Sequence, residues 1–237
     1  MSFLILVRHG QSTWNLEKKF TGWVDVDLTN NGILEAKKAG ELIKANKISI
    51  DYFYSSIQLR AKNTLKIIKG VLNDKNISRE AWQLNERNYG SLTGLNKEEM
   101  KSKFGEKKVY EIRRSWDLKP EPLEKDSPYH PINIETYKTV PKDKIPSTES
   151  LKDTYERVID FYKFEIEKKL LNKNILISAH GNSLRALCKY LFELDNIQIS
   201  NLEIPTGNPL LLSLDNKGKI TKGKYLDDQR SKDLLIF

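Results

Sequence analysis

Two short apolar runs, each stopped by a histidine and a glycine, constrain this chain more than any other feature. Phe3 to Val7 reads FLILV, five apolar residues with no polar alternation. A run of that length and branching predicts a strand buried on both faces. Arg8, His9 and Gly10 follow with no polar spacer. The pattern recurs at the far end, where Ile175 to Ala179 (ILISA) precede His180 and Gly181. The chain has three histidines, so two of them stand at the mouths of buried strands. In open α/β sheets, ligands bind beyond the carboxyl ends of the strands, where both histidines are expected.

Between these strands the periodicity alternates. A helix is expected from Asn30 to Asn46, with Leu34, Ala39, Leu42 and Ile43 as its apolar stripe. DYFYSS at 51–56 predicts a strand, and 58–72 a helix with Leu65, Ile68 and Leu72 in register. REAWQL at 79–84 is a weaker strand. Residues 96–116 are helical and strongly charged, and six of the eight prolines fall between Pro120 and Pro146. That stretch is therefore an irregular excursion from the sheet. A long helix over 149–171 follows, carrying Leu151, Tyr155, Val158, Tyr162, Ile166 and Leu170 on one side. Then come the ILISA strand, a helix at SLRALCKYLF, and strands near 209–214 and 219–226. The alternation predicts an α/β fold. It is a three-layer sandwich, a mostly parallel sheet flanked by helices, with a helical and irregular excursion around 96–147. One domain spanning 1–237 accommodates it. Arg60, at the start of the helix after the second strand, joins both histidines at the same end of the sheet.

Forty Lys and Arg against 32 Asp and Glu leave a net charge of +8. The lysines are spread along the chain and interleaved with acids, as in KDKIPSTESLKD, and no nucleic-acid motif accompanies them. A solvated basic surface is the reading, with no nucleic-acid partner expected. No apolar run is long enough to span a membrane, and no leader precedes the first strand. A single cysteine, Cys188, leaves no internal disulfide and fits a reducing, cytoplasmic location.

For His9 or Arg8 alone, a satisfied core residue is the ordinary explanation. The repeated junction weakens it, because glycine after histidine permits a close approach of backbone or ligand. No metal site is expected: HExxH, cysteine pairs and close histidine spacing are all absent, and Arg8 repels a cation. A G-x-S-x-G serine elbow is also absent. Arginine beside histidine suits an anion, since a guanidinium matches phosphate oxygens and lowers the pKa of a neighbouring imidazole. A neutral imidazole among arginines is a good phosphoryl acceptor.

LVRHGQSTWN resembles the RHG signature of the histidine phosphatase superfamily. FTGWVDVDLT, LNERNYGSLTGLNK, RRSWD, PSTESL and AHGNSLRAL with IPTGNPL resemble, in order, its cofactor-dependent phosphoglycerate mutases. The likeness runs from the first strand to about Tyr225. It implies interconversion of 3- and 2-phosphoglycerate through a phosphohistidine primed by 2,3-bisphosphoglycerate, without metal, in a cytoplasmic homo-oligomer of two or four chains. On that resemblance His9 is the nucleophile and His180 donates a hydrogen bond to the transferring group. Arg8 and Arg60 clamp its oxygens, with Asn15, Gly181 and Asn182 completing the cradle. Glu86 is the general acid/base. Ser12, Thr21, Gly22, Tyr89, Lys97, Arg113 and Arg114 match substrate-contact positions, the two arginines facing the carboxylate.

The departures are few. Gln11 stands where many relatives have Glu, and Asn88 replaces a common His. Residues 128–141 diverge, so His130 is given no catalytic role. A hydrolytic phosphatase of the same superfamily is the nearest rival, although such enzymes often lack the GLNK and RRSW elements present here. Bisphosphoglycerate synthases tend to carry Gly where this chain has Ser12. A non-catalytic basic binding protein would have little reason to keep His9, Arg60, Glu86 and His180 together. The apolar terminus Leu234 to Phe237 leaves two readings open, a stub or a segment docked on the cleft or an interface.

Overall fold

The computed structural model describes residues 2–231, so the expectation for the apolar terminus lies outside the described residues. Six strands form one sheet in the order β3-β2-β4-β1-β5-β6. They are β1 (Ser2–Arg8), β2 (Tyr52–Ser55), β3 (Ser78–Glu80), β4 (Ile175–Ala179), β5 (Leu210–Leu214) and β6 (Ile220–Tyr225). β1, β4, β2 and β3 are mutually parallel, while β5 runs antiparallel to both β1 and β6. The central strands are buried on both faces, as their unalternating apolar character predicts. Leu4, Leu6, Ile175 and Ile177 point into one core layer, and Ile5, Val7 and Leu176 into the other. The pleat divides each strand between two cores.

Helices α2 (Asn30–Ala45) and α3 (Leu59–Leu72) cover the second face; α6 (Leu151–Phe161) and α7 (Gly181–Leu191) cover the first. The stripe of α2 is shifted from the expected one. Ala39 and Ile43 are buried as expected, whereas Leu34 is 61% exposed and Gly32, Ala36 and Gly40 join the buried side. Those five positions keep the i, i+3, i+4 spacing, and the Gly or Ala at four of them lets α2 lie close to its neighbours. The expected long helix at 149–171 is α-helical only to Phe161, followed by a π turn over Tyr162–Ile166. The reason is legible in its apolar spacing. Val158, Tyr162, Ile166 and Leu170 recur every four residues, more than one α-turn, and the wider turn keeps all four buried.

The charged segment after residue 96 is two helices, α4 (Lys97–Phe104) and α5 (Glu106–Arg114), broken at Gly105 with φ +85°. The proline-rich excursion packs rather than dangles: Tyr137 and Val140 form a small core with Trp23. Short helices α1 (Thr13–Leu16) and α8 (Asn196–Asn201) are absent from the sequence reading. The weak strand at 79–84 is shorter than expected, with Trp82–Leu84 forming a 3-10 turn.

Candidate active site

Arg8 lies opposite Ala179 in the β1–β4 register, and the His9 N–H donates to the Ala179 carbonyl at 3.0 Å. His9 and His180 therefore leave neighbouring parallel strands side by side, their ring centroids 5.0 Å apart. His9 Nδ1 lies 2.7 Å from the carbonyl oxygen of Gly10. A carbonyl only accepts, so Nδ1 carries the hydrogen and Nε2 of the neutral ring keeps its lone pair. Burial, then the charges of Arg60 and Arg8, hold the His9 pKa well below the ordinary imidazole value. His180 is lowered in the same way, by burial first and then by Arg60 and His9. Its Nε2 is 2.6 Å from Ser56 Oγ, and its Nδ1 is buried without a protein partner.

The two His-Gly junctions are not equivalent. A Cβ on Gly10 would come within 2.2 Å of the Gly32 carbonyl oxygen, so the start of α2 can approach only a glycine there. A Cβ on Gly181 would meet the Arg8 guanidinium at 3.5 Å, an ordinary contact. Close approach of backbone is found at the first junction alone, while Gly181 lines the cleft.

Arg60, in the first turn of α3, is 1% exposed and reaches back under the loop before α2. It donates to the carbonyls of Val24 and Gly22, each at 2.9 Å, and to Gln58 Oε1 at 3.1 Å. The Gln58 amide also donates to Tyr137 Oη, tying the proline-rich excursion to this loop. Arg8 donates from one terminal nitrogen to the Ile204 carbonyl at 2.8 Å, while its buried Nε has no partner. Thr21 and Gly22 form the adjoining wall with Asn15. Ser12 does not reach the cleft lining. It is fully buried as the N-cap of α1, its N–H donating to Asn15 Oδ1 at 3.1 Å, and so positions Asn15 instead. His180 likewise sits behind the surface, against His9.

The cleft is also lined by Glu86, Tyr89, Lys97, Arg113 and Arg114. Glu86 Oε1 accepts from the N–H groups of Arg87 at 2.8 Å and Asn182 at 3.1 Å. Asn182 also donates from its side chain to Tyr89 Oη at 2.9 Å. Lys97 opens α4 and donates to the Lys19 carbonyl; burial, then Arg113 and Arg8, bring its pKa down to about 8. Arg113 and Arg114 end α5, and Arg114 pairs with Glu203.

Sequence reasoning missed three groups. Arg185 and Glu203 line the cleft, giving it, among the described residues, six cationic side chains against two carboxylates. Arg185 sits in SLRAL, one turn after Asn182, and that spacing was the available signal. Glu149 and Arg157 form a buried pair at 2.7 Å. Around it, Arg157 donates to the carbonyls of Gln83, Asn85 and Glu86, and Glu149 accepts from the Asn88 N–H. The pair fixes the segment carrying Glu86 and Tyr89. Ser56, beside His180, also went unread. Among the described residues no three His, Cys, Asp or Glu side chains cluster as metal ligands, and no helix is long and apolar enough to cross a membrane. A larger groove, about 810 Å³, opens at the β6 edge between Tyr190 and Ile220, and it holds none of the residues above.

Paired histidines at adjacent strand ends, set in an arginine-rich cleft, are the build of a phosphoryl-handling site. The chain belongs to the histidine phosphatase superfamily (branch 1), whose family model matches residues 4–130 and 126–223. Within it, this chain is 68% identical, over all of both chains, to the 2,3-bisphosphoglycerate-dependent phosphoglycerate mutase of Pelagibacter ubique (strain HTCC1062). It is 49% identical to the enzyme of that name from Borrelia garinii subsp. bavariensis, over 95% of this chain and 92% of the relative. The mycobacterial glucosyl-3-phosphoglycerate phosphatase shares the fold at 20% identity, with a TM-score of 0.66 over 90% of this chain and 93% of that one.

Proposed function

We propose that the protein interconverts 3-phosphoglycerate and 2-phosphoglycerate through a phosphohistidine on His9. One observation carries the reading. The Nδ1–H of His9 is committed to the Gly10 carbonyl, so a neutral Nε2 lone pair is left in a cleft dominated by cations. An imidazole in that state is a phosphoryl acceptor at neutral pH.

Two of the buried polar atoms without partners among the described residues, Arg8 Nε and His180 Nδ1, suit a phosphate-bearing molecule that would satisfy them. 2,3-Bisphosphoglycerate, the primer in the relatives' name, fits that donor set, and when bound it supplies the first phosphoryl group. Arg8, Arg60 and Asn15 would hold the phosphoryl oxygens. Were Ser56 to donate to Nε2 of His180, the proton of that ring would rest on Nδ1, available to the same oxygens. Each such preorganised donor is worth about 10²–10³ in rate. Lys97, Arg113 and Arg114 take the carboxylate of the phosphoglycerate, with Thr21, Gly22, Tyr89, Gly181 and Asn182 shaping the cleft between.

The chemistry then needs one mobile proton. As a substrate hydroxyl oxygen bonds to phosphorus, the P–Nε2 bond breaks and its electron pair returns to His9. The hydroxyl proton goes to Glu86, on Oε2, because Oε1 is held by two N–H groups. In the return step the neighbouring phosphoryl group moves to Nε2, and Glu86 gives its proton to the departing alkoxide. The arginines and Lys97 supply the neutralisation. The resemblance also supports a single domain, a cytoplasmic location and a homo-oligomer, for which the mass in solution is the check.

The test is a coupled mutase assay with and without 2,3-bisphosphoglycerate. Turnover should depend on the primer and survive EDTA. Hydrolysis of phosphoglycerate without isomerisation would identify a phosphatase instead.

A further inference from the structure

We infer that Arg185 is a positioning residue that couples the two ends of the cleft, holding the carboxylate-binding end at a fixed distance from the proton-transfer end. The inference rests on the reading above. Arg185 lies on α7, 3% exposed, with a guanidinium that spans three elements. One terminal nitrogen donates to Asn182 Oδ1 at 2.8 Å. Asn182 in turn donates to Glu86 Oε1 and Tyr89 Oη, so this arm ends on the acid/base carboxylate. The other nitrogen donates to the Ile199 carbonyl in α8 at 2.6 Å and to the Arg114 carbonyl at 3.4 Å. Ser200 Oγ donates to that same Arg114 carbonyl at 3.1 Å, so α8 and Arg185 together hold the last turn of α5.

The charge makes a purely structural role a poor explanation. All three of its acceptors are neutral, its Nε is buried without a partner, and Arg114 stands close by. Glu86 acts on this charge only at a distance; a buried cation with no direct ion pair is costly, and a well-packed apolar residue usually serves stability better. A polyanion bound in the cleft supplies the missing compensation. The planar fork adds what charge alone does not, two fixed directions from one rigid group. If it is lost, the α5 turn carrying Arg114 is free to shift relative to Glu86, and a displacement of about 1 Å can cost about 10² in rate.

Arg185→Lys keeps the charge without the fork, and Arg185→Met removes both. Both should still accept the phosphoryl label on His9. Mutase kcat should fall about 10–100-fold, while hydrolysis of the phosphoenzyme falls much less. The hydrolysis-to-transfer ratio then rises about tenfold or more. KM for 3-phosphoglycerate should rise further in Arg185→Met than in Arg185→Lys. If Arg185→Met does not fold, Arg185→Lys carries the test by the ratio alone. An unchanged ratio, with both activities falling by one common factor alongside a lower Tm, would reduce Arg185 to a structural residue. Absence of primer-dependent mutase turnover in the unmodified protein would overturn the functional reading and this inference together.

Discussion

At Glu86 the proton transfer depends on one carboxylate oxygen. Both bonds to its Oε1 come from backbone N–H groups, so Glu86→Gln preserves the shape and one acceptor while removing the acid/base function. Turnover should fall about 10²–10⁴-fold, with phosphorylation of His9 less affected. A near-normal steady-state rate would send the proton through another group. Lys97 offers a pH signature. Its pKa is brought down to about 8, so raising the pH through that value removes a positive charge from the free cleft. kcat/KM for the anionic substrate should therefore decline above about pH 8, and Lys97→Arg should carry the plateau to higher pH. That Glu86, His9, Arg8 and Arg60 share one cleft was legible from the motifs that carry them. Ser12 caps the helix that presents Asn15, a role that a motif position alone does not reveal. Arg185 was quoted within SLRAL but given no role. Its importance lies in contacts to α5 and α8, distant in sequence and invisible to any local pattern.

At the level of elements, the strands and helices were set by their periodicities. The double burial of β1 and β4 followed from runs with no alternation. What failed was phase and continuity. Leu34 looked like part of the α2 stripe because hydrophobicity was weighed over spacing, yet the buried positions of α2 are mostly Gly and Ala. The π turn after Phe161 and the break at Gly105 are local answers to tertiary packing, and propensity registers neither strongly. The junction of β1 with α2 is the most demanding contact of this kind. Gly10→Ala forces a Cβ against the Gly32 carbonyl, which neither backbone can yield without moving α2. The expected cost is about 1–3 kcal/mol by urea denaturation. Phosphoryl transfer should also be lost, because Gly10 O orients His9. Wild-type stability and rate in this variant would mean the junction is looser than its geometry.

For the whole molecule, the cost of keeping histidines neutral indoors should show in its acid sensitivity. His9, His180 and His130 all have pKa values pushed below the ordinary imidazole value, with burial the leading cause in each. On unfolding they regain an ordinary value near 6.5, so below that pH the unfolded chain binds more protons than the folded one. Stability is therefore full above pH 6.5 and lost as pH falls. The slope approaches about 1.4 kcal/mol per pH unit for each histidine until its folded pKa is reached. Urea midpoints between pH 7.5 and 5.5 should show this slope, and His9→Asn should reduce it. A flat profile would mean these histidines are charged, or not enclosed, in the folded protein.

The central claim is that His9 Nε2 is the atom that carries the phosphoryl group. It is tested most directly by incubating the protein and His9→Ala with 2,3-bisphosphoglycerate bearing labelled phosphoryl groups, then challenging the protein-bound label with acid and base. Label on the unmodified protein that is lost in acid, kept in base and absent from His9→Ala is the predicted result. Acid-labile label on His9→Ala, or none on the unmodified protein, would contradict the account.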